Sequence, residues 1–202
     1  MSKFLPLMRT WFASYVISAS SYAALFYINS WLTSELIFGS GVNWVYLPAG
    51  LRLFLTLIFG LPGALGITFA SFLISYCGAL SNDLIICIGT GLISGLVPYI
   101  ARILVMSKVK LESDLSNLNL PKLLICILVY ALLSAGLHQC WYATVGLENS
   151  GSFNHFLVMF IGDVLGSLLL ISLIKSSLDC LRRLRLTRQT DRWVRRQGSG
   201  SA

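Results

Sequence analysis

The sequence predicts an all-α fold, a polytopic integral membrane bundle of six transmembrane helices with both termini cytoplasmic. Three observations predict it. First, 56% of the 202 residues are hydrophobic, only 11% are charged and the mean hydropathy is +0.78, whereas a soluble domain carries about 25% charged residues. Second, six mostly apolar stretches approach the roughly 20 residues that a bilayer crossing needs. Third, basic residues occur only at alternate ends of those stretches. Arg52 is the single exception.

The six stretches follow in order. The first, 11–32, begins after Arg9 and is longer than the apolar core of a signal peptide; no small-residue cleavage pattern ends it, so it reads as a span. The second, 44–59, contains Pro48 and Arg52. Gly60, Leu61, Pro62 and Gly63 leave almost no room for a loop before the third, 61–76, so these two spans form a tight helical hairpin. The fourth, 84–105, contains Pro98, where a kink is expected. The fifth is 122–139 and the sixth 154–174. Small residues are dense in the third and fourth (Gly63, Ala64, Gly66, Ala70, Ser71; Gly89, Gly91, Ser94, Gly95), as close packing of membrane helices requires.

Lys3 and Arg9, then Arg102, Lys108, Lys110 and Lys122, then Lys175 and the seven arginines beyond it account for every other basic residue. Short loops rich in Lys and Arg stay in the cytoplasm. The amino end, the 106–121 loop and the tail are therefore inside, and 33–41, 77–83 and 138–152 outside. Trp31, Trp44, Tyr46, Trp141 and Tyr142 fall near the outer boundary as an aromatic belt. The expected location is a bacterial inner membrane.

The chain divides into a membrane domain, 1–175, a basic amphipathic tail, 176–197, and 198–202, whose Gly/Ser composition is that of an appended linker. Arg182, Arg183, Arg185, Arg188 and Arg192, with Trp193, make the tail a candidate interfacial helix on anionic headgroups, each basic residue contributing about 1 kcal/mol near the surface. The same residues could contact a protein partner in the cytoplasm or the membrane. Attachment to the bilayer accounts for the charge, so nucleic acid is not an expected partner.

Arg52 and Asp163 are isolated charges in apolar stretches and lie at similar depth by residue count. Such groups cost roughly 2.5–3.5 kcal/mol each on insertion scales and normally face the protein interior with a partner. They form either a buried pair or a polar ligand site. Asn43, Trp44 and Pro48 precede Arg52 as a capped helix start or a ligand mouth. His138 and His155 near the outer ends of spans five and six lack a third ligand at metal-binding spacing, and Cys77, Cys87, Cys126, Cys140 and Cys180 show no metal or redox spacing. No nucleophile–base arrangement appears, so neither catalysis nor a cofactor is expected.

Residues 42–53, Val-Asn-Trp-Val-Tyr-Leu-Pro-Ala-Gly-Leu-Arg-Leu, and 160–166, Phe-Ile-Gly-Asp-Val-Leu-Gly, together resemble the first class of bacterial membrane-associated sensor (MASE) domains. Trp44, Pro48, Gly50, Gly162, Asp163 and Gly166 are the matching positions. The resemblance implies a helical membrane bundle with a sensory or docking role. In that family the bundle is usually fused to a kinase, cyclase or phosphodiesterase module; here one basic helix follows, which implies either a stand-alone relative signalling through a separate protein or a chain from which the output module has been cut. Two other readings stand beside it. Ala19 and Ala23 give an A-x-x-x-A pattern similar to the docking motif of the substrate-binding subunits of energy-coupling-factor vitamin uptake systems. A structural subunit of a larger membrane complex would also fit.

Overall fold

The computed structural model describes residues 4–39, 42–79, 83–108, 119–147 and 151–198; the side chains of 4, 5, 79, 178 and 182–198 lie outside that description. Among the described residues the fold is helical apart from one small hairpin. Its elements are α1 (Phe4–Leu32), a 3-10 turn (Ser34–Leu36), β1 (Ile37–Gly39), β2 (Val42–Asn43), α2 (Leu47–Phe59), α3 (Leu61–Ile74), a wide helical turn (Ser75–Ala79), α4 (Leu84–Lys108), α5 (Leu120–Thr144) and α6 (Phe153–Gly198). β1 and β2 pair antiparallel, Ile37 opposite Asn43 and Gly39 opposite Val42.

Among the described residues five segments are long and apolar enough to cross a membrane: Pro6–Leu32, Leu61–Gly78, Leu84–Lys108, Leu120–Thr144 and Phe153–Leu181. The second apolar stretch differs from its expectation. Only Leu47–Phe59 is helical, about 20 Å at 1.5 Å per residue, which is short of the roughly 30 Å hydrocarbon core. Residues upstream of Leu47 are committed elsewhere: Val42 and Asn43 pair with β1, Trp44 N donates to Leu36 O (3.1 Å) and Tyr46 N donates to Gly162 O (3.1 Å). Hydropathy registers an apolar run but not which partner takes its amides. Non-helical backbone at such depth is tolerated when protein buries it or when it lines a cavity, and half-buried Asn43 and Tyr46 line one.

α2 is the centre of the bundle. α1, α3, α4, α5 and α6 follow one another around it, and it touches all five. Its position explains why Leu47, Pro48, Ala49, Gly50, Arg52, Leu53, Leu55, Thr56 and Leu57 are all buried. Ala49, Leu53 and Leu57 pack with Val97, Ala101 and Val105 of α4 and with Cys126, Ile127 and Tyr130 of α5. Leu55 packs with Tyr22 of α1 and Ile67, Ala70 and Ile74 of α3. The expected tight hairpin links α2 to α3. Gly60 turns the chain with φ 65°, in the left-handed region that glycine adopts without a Cβ clash. Arg102 Nη1 of α4 donates to Thr56 O beside that turn (3.1 Å).

Burial of apolar surface drives little association between helices in lipid, so close contact through small residues takes its place. Gly66 of α3 lies against the Tyr15 carbonyl of α1, and Gly95 of α4 against Ala64 and Thr68 of α3. Ala19 and Ala23 are half-buried against the cluster of Tyr22, Leu55 and Ile67. Their A-x-x-x-A stripe is therefore used inside the bundle.

α4 continues through Pro98 without a break. α6 is likewise one helix of 46 residues, so the domain boundary expected at 175/176 is not a boundary of secondary structure. Arg182, Arg183, Arg185, Arg188, Arg192 and Trp193 are on its backbone, but their side chains lie outside the described residues, as do 109–118 of the inner loop and residues 199–202.

Candidate functional site

α2 begins without a cap of its own: Tyr46 makes no side-chain cap and Pro48, in the first turn, has no N–H. The cap comes from another helix. Asn29 of α1, fully buried, accepts from Leu47 N through Oδ1 (3.0 Å), while its Nδ2 donates to Thr33 Oγ1 (3.1 Å). A polar side chain in the last turn of an apolar helix is thereby satisfied, and it fixes the start of α2 against α1.

The two glycines of the 160–166 motif hold the opposite side. A Cβ on Gly162 would meet Asn43 O, and one on Gly166 would meet Tyr46 O and Leu47 N (2.8 Å to the latter). Gly50 reciprocates: its Cβ would lie 2.8 Å from Ser167 Cα. The two short motifs are thus the two sides of one backbone-to-backbone contact between the 42–50 segment and α6. Pro48 is buried in that contact, and Trp44, half-exposed, stacks edgewise on Phe38 (5.9 Å).

Five residues past Leu47, Arg52 is 4% exposed. Its Nη2 donates to Tyr22 Oη and to Tyr46 Oη (3.0 Å), and those hydroxyls lie 3.2 Å apart. The guanidinium carbon also sits over both rings, 5.0 Å from Tyr22 and 5.1 Å from Tyr46. Hydrogen bonds to charged groups are worth about 1.5–3 kcal/mol and a desolvated cation–π contact about 2 kcal/mol, so two tyrosines together go far toward keeping a buried guanidinium charged.

Asp163 of α6 is 1% exposed and acts electrostatically on Arg52 and Tyr130. The two isolated charges share one interior layer, yet no ion pair within 4.0 Å joins them among the described residues. Arg52 Nε and Nη1, Tyr130 Oη, Ser134 Oγ and Asp163 Oδ2 are buried with no hydrogen-bond partner. The arginine is engaged on its tyrosine side and open on the other.

The tyrosine side faces a cavity of about 600 Å³, within the 300–1,000 Å³ typical of small-molecule sites. Every helix contributes: Tyr22 and Phe26 from α1, Arg52 from α2, Ser71 and Ile74 from α3, Thr90 and Ser94 from α4, His138 and Tyr142 from α5, and Met159 from α6. It reaches the surface beside Gly39, Tyr27 and Cys77, the end of the bundle that carries the β hairpin and the 75–79 turn. His138 is held in its wall: Nδ1 bonds the Ser134 carbonyl (2.9 Å) and Nε2 the Ser94 hydroxyl (3.3 Å). Since a carbonyl only accepts, Nδ1 carries a proton.

Of the residues singled out in the sequence as ligand or metal candidates, Arg52, Asn43 and His138 line the cavity, as do Tyr46 and Tyr142 of the aromatic belt. Trp44, Pro48, Gly50, Asp163, Gly162 and Gly166 do not. His155 stands apart, hydrogen-bonded to Ser152 (2.6 Å) and edge-on to Phe38 (5.1 Å). Asn29 and Tyr22 escaped sequence reasoning, because a single polar residue in an apolar helix has no periodicity to mark it; Ser71 and Ser94 stood out only as small packing residues. Tyr46, six residues before Arg52 in the same motif, was the one available pointer.

No protein family, curated protein or solved structure matches this chain.

Proposed function

We propose that this chain is a six-crossing inner-membrane protein with both ends cytoplasmic. In this reading it is a non-enzymatic sensor or scaffold that binds a small ligand or partner and passes a signal inward. The observation that carries it is the polar cavity lined by all six helices with a buried arginine in its wall. A ligand touching every helix couples its binding to their packing, provided that two arrangements differ in those contacts. Arg52 supplies such a difference: it holds Tyr22 and Tyr46 with one nitrogen and leaves the other two unpartnered near Asp163. The resemblance of the 42–53 and 160–166 segments to MASE domains supports the same reading, since those segments form one contact at the site. The basic end of α6, with Arg182, Arg183, Arg185, Arg188, Arg192 and Trp193, is then the surface for headgroups and a cytoplasmic partner.

The six-crossing topology treats residues 42–59 as one crossing, half extended and half helical. The alternating Lys and Arg clusters support that count. A C-terminal fusion that fluoresces as a green fluorescent protein and is inactive as an alkaline phosphatase is expected; the reverse pattern would remove the inward tail.

Purification from native membranes in mild detergent, followed by mass spectrometry, tests the function. Co-isolation of a signalling enzyme, lost when the tail arginines become alanine, is the expected result. Co-isolation of a transport ATPase would instead establish the second reading, a substrate-binding subunit of an uptake transporter. One observation favours that reading: a helix starting at membrane depth beside a polar cavity is a device of transporters. The internal use of Ala19 and Ala23 speaks against it. Recovery in a large complex that carries neither kind of enzyme would point to a structural subunit.

A further inference from the structure

We infer that the cavity beside Arg52 takes a small organic carboxylate with an aromatic or otherwise apolar body. This rests on the reading of the cavity as a ligand site and adds the chemistry of the ligand. Among the described lining residues Arg52 is the one formally charged side chain, and no carboxylate lines the space. Asp163 acts on the guanidinium but makes no ion pair with it, so the charge of Arg52 is not cancelled by direct contact.

The donors face the right way. Both N–H groups of Nη2 are taken by Tyr22 Oη and Tyr46 Oη. Each hydroxyl thus accepts from a cation, and its own hydrogen must point elsewhere. One hydrogen serves the contact between the two hydroxyls (3.2 Å); the other is left to donate. Hydroxyls polarised by a guanidinium are stronger donors than free ones, and both line the cavity. An oxyanion seated on this pair meets that donor and positive charge together in a site of low dielectric, whereas a neutral acceptor gains only the donor. Phe26, Ile37, Ile74 and Met159 give the cavity apolar wall as well, against which the body of the ligand would sit.

Three probes of nearly equal shape separate the possibilities: phenylacetate, phenylacetamide and 2-phenylethylamine, titrated calorimetrically into the full-length protein in mild detergent. Phenylacetate is expected to bind at least about tenfold more tightly than the amide, the loss of one charge-assisted hydrogen bond, and the amine not at all. Tyr46→Phe, which keeps the ring over Arg52 but removes one hydroxyl, is expected to weaken phenylacetate more than the amide, since the acid loses a charge-assisted hydrogen bond and the amide a neutral one. Arg52→Lys keeps the charge and should retain part of the preference. Equal binding of acid and amide, or preference for the amine, overturns the carboxylate inference and leaves the ligand-site reading standing. Acid binding indifferent to Tyr46→Phe and Arg52→Lys overturns the placement. Absence of binding by all three probes overturns the inference too; whether the cavity binds anything else is then read from small molecules retained in native mass spectra, which judges the ligand-site reading by itself.

Discussion

Replacing Gly166 with alanine tests the central structural argument, that two short motifs meet as backbone against backbone. The added Cβ would fall on Tyr46 O and C and 2.8 Å from Leu47 N. No flexible side chain is there to move aside; α6 and the 43–47 segment must separate, weakening the Tyr46 N to Gly162 O bond (3.1 Å). Overpacking costs about 1–3 kcal/mol and the hydrogen bond about 1 kcal/mol. Against this, alanine in a helix interior gains about 1 kcal/mol over glycine. The net expectation is a loss of roughly 1–3 kcal/mol. Gly136→Ala on α5 is the control, because its Cβ would find only Phe156 Cε2 at 4.0 Å; it should gain most of that 1 kcal/mol. The difference between the variants, about 2–4 kcal/mol, cancels the helix-propensity contribution and isolates the packing. Reversible unfolding in mixed micelles with a rising fraction of dodecyl sulfate, followed by circular dichroism, measures it. A Gly166→Ala protein as stable as Gly136→Ala would refute the contact.

Three further outcomes are expected. Asn29→Ala removes the acceptor for Leu47 N and should cost about 0.5–2 kcal/mol in the same assay, whereas substitution of exposed Ser30 should cost almost nothing. Arg52→Gln forfeits the double tyrosine engagement and should lose about 2–4 kcal/mol, while Asp163→Asn, which breaks no ion pair, should lose much less; equal losses would show that the two charges act as a pair. In intact cells a membrane-impermeant maleimide should label a variant whose sole cysteine is Cys77, exposed beside the cavity mouth, but neither one retaining only Cys126, which is buried, nor one retaining only Cys180, which the proposed topology puts on the inner side; labelling of Cys180 would invert that topology.

Composition alone determined that this chain is a multi-pass helical membrane protein, because a chain with 11% charged residues cannot cover itself with a polar surface. The helical hairpin at Gly60 was equally legible, since glycine and proline restrict backbone angles locally, whatever surrounds them. Arg52 and Asp163 were conspicuous because charge in hydrocarbon is costly wherever it falls. Their relation was not legible. Depth along a helix can be counted from sequence, but rotation about the axis and the neighbour it faces are set by packing, and packing gave Arg52 two tyrosines in place of the carboxylate. The start of α2 was hidden for a similar reason: its cap, Asn29, lies eighteen residues upstream on another helix. Gly162 and Gly166 stood out as a motif, yet their purpose, admitting the 42–47 backbone against α6, exists only once the two segments are side by side. Local restrictions and burial costs are properties of residues; a cavity, and the charge that looks into it, is a property of their arrangement.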